Sequence, residues 1–308
     1  MKLNLAYLYL LSPLHTGGTS QEGNLVGIAR ESHTNFPYLP SSTIRGRYRA
    51  NVVINIDPKD EDNVIAAHIR QVKLFGPDLE DLKNQDFVEY YELETNRKLT
   101  QLEQGSIWVG DGSILWFPVS SLSHGVIWIS CPLLLQKWVR FNHSNDTINT
   151  NNIKNYRSNI PKKESVYLKD ALIAGSSLQP FQNWEDFIPK GYETSIDKVL
   201  VLPNQHCETL IQMSLWRQVK VKLNEHKVVT DGSFRYEEAI PPDTLMYFPW
   251  GVTTQVNGTA QEHLDDFQQL LKDNSLLQIG GQESLGRGFV QQWMAPQKES
   301  KGKKEGKG

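Results

Sequence analysis

The sequence predicts an α+β fold, and three observations predict it. Alternating apolar segments, the mark of half-buried strands, are interleaved with two segments whose apolar residues recur at helical spacing. Two glycine-bearing loops at opposite ends of the chain, residues 11–18 and 279–290, each follow a strand-like run. A second alternating hairpin with a basic face stands apart from the first.

The opening run, residues 3–11, reads as a buried strand. It is apolar enough for a secretory h-region, but Asn4, Tyr7 and Tyr9 interrupt it and no small-residue cleavage site follows. Ser12 and Pro13 end the strand, and a polar loop carrying Gly17, Gly18 and Gly23 runs on to Pro37. Pro40, Ser41, Ser42 and Thr43 then predict a helix start, because serine and threonine hydroxyls accept from the unpaired N–H groups of a first turn. The helix behind them, residues 44–51, holds Arg45, Arg47 and Arg49. A second helix over 62–74 stops where Gly76 and Pro77 punctuate. Residues 114–119 and 126–131 flank a longer turn and form a hairpin, with Pro118 marking an edge or a bulge.

From about 141 to 165 the chain turns polar and asparagine-rich, which predicts an exposed insertion. Residues 218–223 and 233–238 alternate polar and apolar side chains, giving a thumb hairpin over about 217–239. A strand over 244–248, a helix over 260–272 with Leu264, Phe267, Leu270 and Leu271 on one stripe, and a strand over 275–279 follow. The whole order is that of a ferredoxin-like (RRM-like) palm with long insertions. One decorated domain over 1–297 accounts for it, followed by a disordered basic low-complexity tail over 298–308.

With 32 Lys+Arg against 35 Asp+Glu the formal charge is -3, so a nucleic-acid site has to be a local basic patch. The two cysteines, Cys131 and Cys207, fall in no paired ligand spacing. That argues against a disulfide framework or zinc knuckle, and both read as inert core fillers. No apolar run approaches the ~20 residues of a membrane span. The chain reads as cytoplasmic, with no membrane partner.

The chemistry concentrates in the glycine loops. Gly280, Gly281, Gly286 and Gly288, mixed with Gln282, Ser284 and Arg287, offer backbone N–H groups to a closely approaching phosphate chain. His15, Gly17 and Gly18 do so in the first loop. The helix start at Ser41, Ser42 and Thr43, with Arg45 and Arg49 one turn apart behind it, is a second anion site, although surface arginines usually form only a solvated face. His15 and His33 titrate near neutrality and are candidates for acid–base work; a structural or RNA-contacting role is the commoner one. Trp116 and Trp128 belong to a core before they belong to a base-stacking platform. A mononucleotide enzyme is disfavoured, because the glycine loop lacks the Lys-Ser/Thr ending of a P-loop.

The run from Arg30 and Glu31 through His33, Thr34, Phe36 and Pro37 to Pro40, Ser41, Ser42, Arg45 and Gly46 resembles the opening motif of the RAMP superfamily. Within it, the resemblance is to the Cmr-type backbone subunit of type III-B CRISPR effectors. Residues 116–122 with 125–132 are similar to that family's central hairpin, 236–244 to a later segment, and 280–288 to its closing glycine-rich motif. These motifs keep the family's order, and the resemblance runs from residue 3 to about 293.

The resemblance implies a subunit that polymerises along a CRISPR guide RNA, with complementary target RNA, other effector subunits and copies of itself as partners. The palm holds the guide and the thumb presses between guide and target; base pairing reads the sequence, so backbone and shape contacts suffice for the protein. Members that cut target carry an aspartate five residues before the motif arginine, and here that position is Leu25. A leucine can neither hold a metal ion nor accept a proton. No catalytic residue, metal or cofactor is therefore expected. Glu22 and the motif's own Glu31 are the neighbouring acids, Glu22 being the candidate to substitute, with Mg²⁺ needed only if cleavage is retained. A processing ribonuclease built on His15 or His33 is a further alternative. Ser41 stands where the family usually has glycine, and serine is itself a good cap.

Overall fold

The computed structural model of the chain describes residues 3–22, 25–54, 56–142, 148, 151, 153–230, 233–253 and 260–296. The expected tail over 298–308, most of the asparagine-rich stretch 149–152 and the turn at 231–232 lie outside the described residues.

The first strand, β1 (Leu3–Leu10), alternates faces: Ala6, Leu8 and Leu10 enter one core, Tyr7 and Tyr9 the other. The polar loop after it holds more regular structure than its composition predicts, namely β2 (Gly17–Glu22), β3 (Leu25–Ile28) and β4 (Tyr38–Leu39). Helix α1 (Ser41–Asn51) follows Pro40 without any side-chain cap. The Ser41 amide donates instead to Asp111 Oδ1 at 2.7 Å, so the cap expected from the hydroxyls of Ser41, Ser42 and Thr43 comes from a carboxylate 70 residues further on. Helix α2 (Glu61–Phe75) ends at Gly76, φ 77°. Two helices absent from the sequence reading come next, α3 (Leu79–Lys83) and α4 (Gln85–Thr95), capped by the Asp78 and Asn84 side chains. They close a small core of Ile69, Val72, Phe87, Tyr91 and Leu99.

Strand β5 (Ile107–Val109) precedes the expected hairpin, β6 (Gly112–Ser121) and β7 (Gly125–Ser130), whose turn is tighter than the sequence indicates. Helix α5 (Pro132–Phe141) has proline in its first turn, where a missing N–H is harmless. The polar insertion is more than an appendage: Ile153 and Ile160 are buried and β8 (Arg157–Ser158) joins the main sheet. Then come β9 (Val166–Leu168), β10 (Ala171–Ile173), β11 (Gln179–Pro180), β12 (Val199–Val201) and α6 (Asn204–Met213). The second alternating hairpin forms as β13 (Trp216–Lys220) and β14 (Arg235–Ala239). Finally β15 (Leu245–Val252), α7 (Ala260–Asp273) and β16 (Leu276–Gln278) stand where the periodicity predicts them, and β17 (Phe289–Trp293) follows the glycine loop.

Among the described residues thirteen strands form one mixed sheet with the main path β11-β8-β12-β7-β6-β15-β1-β17-β16. At its centre β17, β1, β15 and β6 are successive antiparallel neighbours. Ile44 and Tyr48 of α1 and the predicted stripe of α7 cover one face, where Phe267 packs edge-on to Tyr48, Phe75 and Trp250. Trp116, Trp138, Tyr247 and Phe187 fill the other. Coverage of both faces explains why the central strands are apolar on both sides. The β15 pairing with β6 carries a register shift and ends at Trp116, so Pro118 pairs with Trp128 of β7 and interrupts nothing on β15. The other four strands form a small sheet, β13-β14-β3-β2, in which β3 runs parallel to β14.

Candidate nucleic-acid interface

The first loop is tied to the residue just past β14 by two hydrogen bonds, Leu14 N–H to Ile240 O and the reverse, both at 2.8 Å. His15 Nδ1 lies 2.9 Å from the Glu238 carbonyl oxygen. A carbonyl only accepts, so Nδ1 carries the proton, and the ring is buried. The closing loop lies against this segment: the Gly281 amide donates to His15 O and the Gly288 amide to Pro13 O, each at 2.9 Å. Residues from opposite ends of the chain thus form one surface.

The glycines differ in what they do there. Gly280 (φ 95°) and Gly288 (φ 75°) lie in the left-handed region, and a side chain on either would meet backbone, His15 O at 2.6 Å for the first and the Ile279 carbonyl for the second. Gly286 (φ 71°) shares the conformation but has open space around it. Gly281 is under neither constraint; a Cβ there would meet the His15 ring at 3.2 Å. The expectation that these amides face a phosphate needs correction, because those of Gly281, Gly286 and Gly288 donate to His15, Glu283 and Pro13 inside the protein. They let two loops close on each other. The outward rim is Gly17, Gly18, Ser284 and, half-exposed, Gln282.

Arg287 is also turned inward. Its guanidinium lies 3.8 Å from the Trp216 ring centroid and donates to Gln218 Oε1 at 2.7 Å, which leaves the residue 5% exposed and pins the closing loop to β13. Arg45 and Arg49 donate to the Phe75 and Gly76 carbonyls at the end of α2, where carbonyls lack helical partners and draw positive charge. Arg49 also bridges Asp78 and Asp81 at 3.1 and 3.2 Å. Each arginine expected to meet RNA therefore has partners inside the protein. Arg47, which sequence reasoning passed over, reaches to 3.5 Å from Glu283 of the closing loop. The signal was available: Arg45 and Arg49 share a helix face, so the residue midway points elsewhere. Ser41, Ser42 and Thr43 sit beside Asp111 at the start of α1, outside the loop pair, and His33 is exposed.

Leu25, Tyr236 and Val219 are register neighbours across β3, β14 and β13 and make one apolar row on the small sheet. Glu22 is the register partner of Leu25 on β2; its side chain lies outside the described residues. Glu238, 2% exposed, accepts from Arg30 Nη2 at 2.6 Å and Arg217 Nε at 3.0 Å. Arg30 continues to Gln212 of α6 at 2.9 Å. Glu31 is bound by Lys137 of α5 at 2.9 Å and by Thr34; burial pushes its carboxyl up, but these two partners outweigh it and hold the group below its usual range. The Glu238 cluster escaped the sequence because its acid and Arg30 are 208 residues apart. Among the described residues no three His, Cys, Asp or Glu side chains stand together as metal ligands, and the row around Leu25 does not fit a divalent ion.

These elements define an α+β protein whose first and last loops close one surface beside a detached hairpin sheet. The chain belongs to the RAMP superfamily, whose RAMPs family model matches residues 7–291. It is similar to the CRISPR system Cmr endoribonuclease Cmr4 of Pyrococcus furiosus, 27% identical over 318 residues covering 94% of this chain and 95% of the relative. In structure it is similar to oligomeric Cmr4 from Pyrococcus furiosus, with TM-score 0.62 at 23% identity over 97% of this chain and 99% of that one. A chain of the type III-B Cmr-beta complex bound to cognate target RNA matches with TM-score 0.69 at 17% identity, covering 95% and 96%. Both structural likenesses are of fold. Among the described residues no helix is long and apolar enough to cross a membrane.

Proposed function

We propose that this chain is an RNA-binding backbone subunit of a type III-B CRISPR effector, lining up guide RNA with complementary target RNA. The match to Cmr4 carries this reading, because it covers nearly all of both chains, palm and thumb together, and not one motif. The central order β17-β1-β15-β6, with α1 and α7 on one face, supports a ferredoxin-like palm within one decorated domain. The small sheet serves as its thumb. Guide contacts fall on the rim at Gly17, Gly18, Gln282 and Ser284, on Arg47 and on the exposed Lys222 and Arg235 of the β13–β14 hairpin, while His15, Arg45, Arg49, Arg287, Gly280 and Gly288 keep that surface in shape. Partners are other effector subunits and further copies of the chain. The test is to purify the assembly through this chain, sequence its RNA and identify its proteins by mass spectrometry. Absence of both RNA and CRISPR subunits overturns the reading.

A second reading, cleavage of target RNA, is favoured by the relative's name, an endoribonuclease. The apolar row at Leu25 and the ion pairing of Glu31 and Glu238 support a subunit that does not cut. Labelled target incubated with the guide-loaded assembly in Mg²⁺ or Mn²⁺ should stay intact. Regularly spaced products that disappear with Glu22→Gln would support the cutting reading instead.

A further inference from the structure

Cys131 and Cys207 lie at the starts of two helices that follow neighbouring parallel strands. Strands β7 and β12 run side by side with Val201 opposite Ser130, and Leu202 N–H donates to Ser130 O at 2.8 Å. Each strand leads into a helix, so α5 and α6 begin next to each other, joined by the Leu133 amide donating to Asn204 Oδ1 at 3.1 Å. Cys131 is the residue before the first turn of α5 and Cys207 lies in the first turn of α6. Both are free and buried, and both belong to the same core cluster.

The two sulfurs are not equivalent. The neighbouring Cys207 side chain and the amides of Leu133 and Leu134 hold the Cys131 thiol below its usual value, whereas burial pushes Cys207 well up. A thiolate-favouring sulfur at a helix N-terminus beside a second thiol is the pairing that disulfide chemistry uses.

We propose that Cys131 and Cys207 form a reversible intramolecular disulfide when a peroxide is present. The Cys131 thiolate attacks one peroxide oxygen: an S–O bond forms, the O–O bond breaks, and the departing hydroxide takes a proton to leave as water. The Cys207 sulfur then attacks that sulfenic sulfur; the S–S bond forms, the S–O bond breaks, and a second water leaves with the Cys207 proton. Two thiols lose two electrons and two protons, and one hydrogen peroxide takes them up to become two waters. The bond would clamp together two helices that seat the same loop, since Lys137 of α5 holds Glu31 and Gln212 of α6 holds Arg30. With both sulfurs buried, reaction waits on local opening, so its rate levels off as peroxide is raised.

The experiment treats the reduced full chain with hydrogen peroxide, blocks remaining thiols with iodoacetamide in denaturant, and maps peptides by mass without reduction. The expected result is one Cys131–Cys207 linked peptide, loss of both alkylatable thiols, and recovery of both with dithiothreitol. Both cysteines alkylated, sulfonic acid on either with the other free, or links only between chains overturns the proposal. Cys207→Ala should leave Cys131 as a sulfenic acid that dimedone captures, while the mapping of the unsubstituted chain stands if that variant does not fold.

Discussion

At the scale of residues, the closing motif contains glycines of two kinds that look identical in sequence. Gly288 needs both its positive φ and the missing side chain, so Gly288→Ala should cost roughly 1–3 kcal/mol or more and lower the thermal midpoint, whereas Gly281→Ala should stay within about 1 kcal/mol. Equal melting of the two variants would show that the loops do not depend on this close approach. The arginines separate in the same way. Arg47→Ala should weaken guide RNA binding and reduce the salt slope by about 1, while Arg45→Ala, which removes a tie between α1 and α2, should lower stability. Titrations at two salt concentrations, beside thermal melts, distinguish these outcomes. The motif glycines and arginines were legible in the sequence; the inward roles of Gly281, Gly288, Arg45 and Arg287 were not, because their partners lie far away along the chain.

Elements were legible where one side of them faces a continuous core. The α7 stripe reads directly from its spacing, and Phe267→Ala should cost about 3–5 kcal/mol in denaturant unfolding, since the ring touches Tyr48, Phe75 and Trp250. Strands β2 and β3 were read as loop because β2 is polar or small and β3 is only four residues long; β3 pairs with β14, which lies across the chain, and β2 pairs with β3. The short α3 hid for a related reason: its caps carry much of its definition. Amide hydrogen bonds from Asp81 and Glu80, with Arg49 and His68 nearby, hold the Asp78 carboxyl below its usual range. A folded-state value below the unfolded one stabilises the fold above the ordinary carboxylate range and ceases to do so as pH falls through the depressed value. The stability difference between the unsubstituted chain and Asp78→Asn should therefore shrink in acid, as urea midpoints across that range would report. A constant difference would remove the charged cap from the account.

For the molecule as a whole, the order of its longer strands and helices followed from periodicity, but the order within the sheet did not, because alternation tells a strand which faces are buried and nothing about its neighbours. The sheet places β1 between β15 and β17. During synthesis β1 emerges well before both strands that complete it, which lie at Leu245–Val252 and Phe289–Trp293. Until they arrive an apolar segment carries unpaired N–H and C=O groups along both edges, a ready template for another chain. A nascent copy therefore exposes this template until β15 and β17 arrive, and slower synthesis or a holding chaperone should raise the fraction that folds.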